Sequence, residues 1–298
     1  MAMARDSGVG GALRNLVGGV MPQAVRDLGR ELEDCLAKAV VSRNEYGYDP
    51  YGFEPSAAKS TYLPGALMHR FYFRAESFDI DRVPAGRVLL IANHAGQFAY
   101  DGAMLAVSML LQAQPPRIAR GMGEYFLFRL PWVGTTGARM GMMVGTPANC
   151  VHMLEAEQCV MVFPEGASGA NKPFRKRYQL QGFGQGFMRL ALQTHTPIVP
   201  VGIVGSEEQQ PGLANFEGAG RALGLPSLPI TISTPWLGLL GPAFALPTKY
   251  RLHFGEPMHF EGDGTEEDAA VEKKVEIVKA GVAALIARGL EERTGIFT

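Results

Sequence analysis

Hydrophobic and polar positions follow two periods along this chain. Short apolar runs of strand length recur as "RVLLIAN" (87–93), "CVMVF" (159–163), "PIVPVGIV" (197–204) and "YRLHFG" (250–255). "HRFYFRAE" (69–76) reads as a strand from its aromatic content, and "RIAR" (117–120) as a short one. Helical spacing predicts helices over 101–112 and 180–194, with a further apolar helical segment from Tyr125 to Leu130. Thr146 and Pro147 predict another helix start, an N-cap hydroxyl followed by proline at the first helical position, running to about Glu157. The last helix is expected to begin at Thr265, with Asp268 three residues on as a capping box, and to bury Val271, Val275, Val278, Val282 and Leu285. Alternating strands and helices imply an α/β fold with a mixed, largely buried β-sheet flanked by helices.

Before this alternation comes a different region. Residues 1–20 are Gly-rich and expected to be mobile. Residues 22–42 carry an amphipathic helical pattern, with Val25, Leu28, Leu32, Cys35, Leu36 and Ala39 on one face. Such a helix can pack on the domain or lie on a membrane; packing is preferred because its polar face is not strongly basic. "NEYGYDPYGFEP" (44–55) is turn-rich. The expected division is a start, helix and linker over 1–60 and one domain over 61–298.

Bulk properties narrow the partners. A net charge of −1 argues against nucleic acid as a partner. The 47% hydrophobic against 19% charged residues favour contact with lipid. Three cysteines at spacings that fit no zinc or redox motif point to a reducing, cytoplasmic setting. No HExxH-type pattern suggests a metal. The uncharged stretch 222–248 has the length of a membrane span, but its five prolines exclude a continuous helix. It reads either as loops dipping into a bilayer surface or as a buried apolar region.

Two polar clusters follow predicted strands, where sites gather in such folds. Asn93 and His94 end the first, and Asp101 follows. A neutral imidazole can take a proton from a hydroxyl, and a carboxylate on its other nitrogen fixes the tautomer; a structural histidine is the alternative. The second cluster is Pro164-Glu165-Gly166, then Gly169, Lys172, Arg175, Lys176 and Arg177. Its glycines allow close backbone approach and its cations suit phosphate; a turn with a solvated basic face is the alternative. "GASGA" (166–170) is not a nucleophile elbow, because residue 170 is Ala.

Together these motifs resemble the glycerophospholipid acyltransferase family, which includes bacterial 1-acylglycerol-3-phosphate acyltransferases and relatives that acylate neutral glycerides. Asn93-His94 with Asp101 is similar to its first motif, Phe163-Pro164-Glu165-Gly166 to its third, and Ile198-Val199-Pro200-Val201 to its fourth, across roughly residues 67–260. The first motif departs from the family: six residues, "AGQFAY", separate His94 from Asp101 instead of four. The second motif falls in "GARMGMMVGTP" (137–147), which offers Arg139 but no arginine after "MMV", and this points away from a phosphate-bearing acceptor.

The resemblance implies a glycerol-3-phosphate acyltransferase-like fold and a membrane-associated O-acyltransferase. His94 would be the general base and Asp101 its orienting acid. Asn93, Glu165, Gly166, Arg139, Lys172, Arg175 and Arg177 would bind substrate. There would be no cofactor; acyl-CoA or acyl carrier protein would be co-substrate, a lysophospholipid or neutral glyceride the acceptor, and the inner face of the cell membrane the location. An acyl thioesterase, or a non-catalytic lipid-binding protein keeping the fold, are the alternatives.

Overall fold

The computed structural model describes residues 22–298 apart from 42, 97–98, 130–131, 171, 217 and 219–227. The expected mobile start (1–20) and residues 222–227 of the uncharged stretch lie outside the described residues. In chain order the elements are α1 (Gln23–Lys38), α2 (Pro55–Leu67), β1 (Glu76–Phe78), β2 (Val88–Ala92), α3 (Tyr100–Leu111), β3 (Ala119–Gly123), α4 (Val133–Arg139), β4 (Met143–Val144), α5 (Pro147–Glu155) and β5 (Cys159–Val162). They continue as α6 (Gly166–Ala170), α7 (Gly186–Gln193), β6 (Ile198–Val204), β7 (Gly212–Phe216), β8 (Leu228–Thr231), α8 (Thr234–Leu237), β9 (Arg251–Phe254) and α9 (Asp268–Glu292).

Seven strands form one mixed sheet in the order β1-β9-β6-β2-β5-β3-β4. The five strands from β6 to β4 are mutually parallel, whereas β9 pairs antiparallel to β6 and parallel to β1. β7 and β8 form a separate antiparallel hairpin. All five β2 residues are buried, because helices cover both faces. Leu90 and Ala92 face a core shared with α1, α2 and α3; Leu89 and Ile91 face a second core with α5, α7 and α9. Each such Leu or Ile side chain contributes about 1.5–3 kcal/mol by leaving water.

α1 seats Leu28 and Leu32 in the first core, so it packs on the domain as its apolar face predicts. The helix α2 runs through residue 60 and buries Ala58, Tyr62 and Ala66. The predicted strand over 69–76 is corrected. α2 continues as a wider π turn over Met68–Tyr72, and only Glu76–Phe78 is strand. Tyr62, Ala66, His69 and Phe73 recur at helical spacing and are all buried, which overrides the aromatic strand propensity. The start of α9 is also corrected. Asp268 is its first residue, while Thr265 turns back to bond the Asp263 carboxylate through both its N–H and its hydroxyl. Its predicted core face is buried throughout. Thr146 caps α5 by accepting from the Asn149 N–H at 3.2 Å. Among the described residues no helix is long and apolar enough to cross a membrane.

Candidate active site

The parallel strands bring four chain segments to one edge of the sheet. β2 ends into Asn93-His94, β5 into Phe163-Pro164-Glu165, β6 into the polar run 205–210, and β3 into the segment from Glu124. Asn93 is fully buried, and its amide spans the peptide of Ile203 in β6. The Nδ2 group donates to the Ile203 carbonyl at 3.0 Å, and Oδ1 accepts from the Ile203 N–H at 2.8 Å. The side chain thus extends the β2–β6 ladder past the end of β2. Asn93 thereby fixes where the next residue begins.

That next residue is His94. Its Nδ1 lies 2.7 Å from Asp101 Oδ2, across the six-residue interval. Asp101, in the first turn of α3, is fully buried and also accepts from the N–H groups of Ala95 (2.9 Å) and Gly102 (2.8 Å). Three donors around one buried side chain form the environment of a carboxylate, so Nδ1 carries the proton and Nε2 is left as a lone-pair nitrogen. The His94 ring leans on Phe163 with centroids 4.8 Å apart and keeps 17% of its side chain exposed. Burial pulls its pKa down, but the charge and hydrogen bond of Asp101, helped by Glu165 and opposed by Lys172, raise it above the ordinary histidine value.

Glu165 works from behind. Oε1 accepts from the His94 backbone N–H at 3.0 Å, and Oε2 accepts from the Gln181 N–H at 2.8 Å. Lys172 Nζ sits 3.4 Å from Oε2 and 3.0 Å from Glu207 Oε1, with all three side chains buried. Glu165 is held by the His94 and Gln181 backbone N–H groups and by Lys172, and Lys172 is held between the Glu165 and Glu207 carboxylates. Glycine is needed at 169, where a Cβ would sit 2.6 Å from the Glu165 Cβ and 3.1 Å from the His94 carbonyl. Gly166 has φ +53, the left-handed region that glycine enters without strain, and a Cβ there would face open space.

Arg175, Lys176 and Arg177 are exposed, as is Arg139 at the end of α4. The Arg177 guanidinium lies over the Phe174 ring at 4.8 Å. Cys150 and Cys159 are buried free thiols pushed up to about 11 by desolvation, which makes them inert as nucleophiles.

Residues 74–204 match the family model described as Acyltransferase. Over this part of its length the chain is similar to the acyltransferase family. Relatives of the chain include an uncharacterised protein of Mycobacterium tuberculosis, 36% identical over 219 residues, covering 72% of this chain and 60% of that protein. An uncharacterised protein of Mycobacterium leprae is 37% identical over 220 residues, with 72% and 59% covered. A chicken protein described as a DGAT1/2-independent enzyme synthesizing storage lipids is 23% identical over 224 residues, with 75% and 61% covered. The chain therefore spans about 60% of the length of the curated relatives it matches. The crystal structure of the 1-acyl-sn-glycerophosphate acyltransferase PlsC from Thermotoga maritima superposes with a TM-score of 0.49 at 19% identity, covering 76% of this chain and 79% of that one.

One part of this polar cluster escaped the sequence reading. Glu207 and Glu208 lie in "GSEEQQ" (205–210), directly after β6, and are buried. Glu207 accepts from Lys172 and from the Tyr178 N–H at 2.7 Å. Desolvation raises its pKa to about 7, against the lowering effect of Lys172. Glu208 pairs with Arg293 at 2.6 Å and accepts from the Tyr178 hydroxyl. The signal was available: a polar run directly after an apolar strand is what singled out Asn93 and Glu165. A small cleft beside the His94 loop is lined by Ala95, Gly96, Gly169, Lys172, Phe174 and Glu207, among others.

Proposed function

We propose that the protein transfers a fatty acyl group from an acyl thioester to a lipid hydroxyl. The observation that carries this reading is the His94–Asp101 pair at 2.7 Å, with a partly exposed ring at the end of a buried strand. The acceptor hydroxyl gives its proton to His94 Nε2 while its oxygen attacks the thioester carbonyl carbon. The tetrahedral intermediate collapses by breaking the carbon–sulfur bond, and the imidazolium returns the proton to the thiolate. Asp101 holds the tautomer and stabilises the imidazolium, and Glu165 holds the His94 backbone in place. The donor is acyl-CoA or acyl carrier protein, and the protein works peripherally on the cytoplasmic face of a membrane.

For the acceptor we favour a neutral glyceride over a lysophospholipid. The cation beside the cleft, Lys172, is already held between two carboxylates, which leaves no net positive charge for an acceptor phosphate. The chicken relative, described as an enzyme synthesizing storage lipids, points the same way. Arg139, Arg175 and Arg177 lie on the outside and remain the candidates for phosphate elsewhere.

The test supplies labelled palmitoyl-coenzyme A with separate pools of mono- and diacylglycerols and of lysophospholipids, and reads products by mass spectrometry. A new neutral ester that His94→Ala fails to make supports the reading. Thiol release without a lipid product would replace it with a thioesterase, and a product only from lysophospholipids would reverse the choice of acceptor.

A further inference from the structure

The chain has only two tryptophans, and both stand in water: Trp132 is 84% exposed and Trp236 is 79% exposed. Large apolar side chains are rarely left so open without a partner surface. Trp132 is also held at φ +60, a left-handed conformation costly for a bulky residue, with no packing in return. Neither is alone. Tyr125 (60% exposed), capped by the Arg129 guanidinium at 4.7 Å, precedes Trp132; Leu213, Phe216, Ile232 and Leu237 are exposed in the same excursion of the chain as Trp236, which comprises the β7–β8 hairpin, α8 and the turn between them.

The topology sends the segments that carry these patches out from the same edge of the sheet as the site. β6, β2, β5 and β3 are neighbours in that order and parallel, so their following loops leave one edge of the sheet. The β6 loop carries Trp236, the β2 loop His94, the β5 loop Arg175, Lys176 and Arg177, and the β3 loop Tyr125, Arg129 and Trp132. Four adjacent strands span roughly 15 Å at the usual strand spacing. The far end of the β6 excursion is tied back to the site: the Tyr100 hydroxyl, next to Asp101, donates to the Ala243 carbonyl at 2.8 Å. In these loops Arg129, Arg175, Lys176 and Arg177 make no ion pair with any described residue. Glu124 is the one exposed carboxylate described there.

We propose that this carboxyl edge is a membrane-docking face for an anionic bilayer, with Trp132 and Trp236 as interfacial anchors on either side of His94 and the 175–177 cluster against lipid headgroups. Tryptophan suits the headgroup level because its ring is apolar with one polar tip, and exposed cations gain from an anionic leaflet. The arrangement would present His94 to lipid hydroxyls that never leave the membrane. It rests on the reading that the acceptor is a lipid, so the test uses no acyl donor and the two can fail separately.

The protein carrying either Trp132→Phe or Trp236→Phe has one tryptophan emitter in this chain. Each is mixed with phosphatidylcholine vesicles, with and without phosphatidylglycerol, containing lipids brominated near the headgroup end of the acyl chain. Both emitters are expected to shift to the blue and to be quenched. Replacing Arg175, Lys176 and Arg177 by Gln together should weaken binding to the phosphatidylglycerol vesicles by about tenfold or more, in a salt-dependent way. His94→Ala should bind as well as the parent while losing transfer. Binding to vesicles with either tryptophan unquenched, or no binding to vesicles of either composition, would overturn the proposal. Quenching of both in a protein that transfers no acyl group would leave docking standing and remove the enzymatic reading.

Discussion

Two histidines lean on the same helix and end in opposite states. His94 meets Asp101 in the first turn of α3; His69, in the π turn after α2, meets Ser108 two turns further along, with Nε2 2.9 Å from the Ser108 hydroxyl. His69 is 1% exposed, and burial, aided by the nearby Arg70 charge, lowers its pKa to about 4. The His94 ring is also largely out of water, yet its pKa is raised. The partner makes the difference. A hydroxyl satisfies one ring nitrogen without favouring a positive charge, whereas a buried carboxylate favours the charge that a base must briefly carry. The surroundings of His94 favour its protonated form and those of His69 the neutral one.

Removing either member of the acidic pair breaks the comparison most severely. His94→Ala should lower kcat for acyl transfer by about 10³–10⁴-fold, the upper range for a general base. Asp101→Asn should cost about 10²-fold or more, because an amide can present a donor to Nδ1 and invite the wrong tautomer. In the parent, transfer should rise with pH as His94 loses its proton, with a midpoint above the ordinary histidine value of 6.5. In Asp101→Asn that midpoint should fall. Steady-state kinetics from pH 5.5 to 9 read both, and an unmoved midpoint would show that Asp101 does not set the His94 charge.

How far the site could be read from the chain depended on the range of the contacts. The all-apolar β2 and the polar residues after it were legible, because strand and site follow from consecutive positions. His94 and Asp101 stand 2.7 Å apart despite the longer interval, since α3 begins within it. Roles that depend on distant partners were not legible. Asn93 resembles a substrate contact until Ile203, 110 residues away, occupies its amide. Glu165 and Lys172 have the residue types of a binding site, but the Gln181 backbone and Glu207 engage them first. The π turn carrying His69 was misread as a strand because aromatic content is a local signal and the burial of Tyr62, Ala66 and Phe73 is not.

The two histidines should also pull stability in opposite directions with pH. His69 stays neutral when folded down to about pH 4, while the unfolded chain binds its proton near 6.5. The unfolded state therefore gains protons first, and stability falls as pH drops from 6.5 towards 4, by about 3 kcal/mol from this residue alone. His94 has the reverse sign: its raised pKa adds stability that is fully present below 6.5 and is lost as pH rises through the folded value. Urea unfolding of the parent and of His69→Leu, at pH 7 and pH 5, separates the two. The variant should lose much less stability at the lower pH, and equal losses would mean that His69 is not the group being titrated.

The smallest expected effect makes the sharpest contrast. Ser108→Ala removes the hydroxyl that His69 meets and leaves a buried ring nitrogen without that partner, which should cost about 1–3 kcal/mol of stability. Ser108 and Asp101 lie on the same helix, so a general loosening of α3 would lower acyl transfer in either variant. If Asp101 acts through the charge state of His94, Ser108→Ala should destabilise the fold while keeping kcat, KM and the pH midpoint of the parent. If Ser108→Ala instead lowered transfer as far as Asp101→Asn, with the same shift in midpoint, the distinction between a charged and an uncharged partner would fail. The activity would then depend on the placement of α3 and not on the carboxylate it carries.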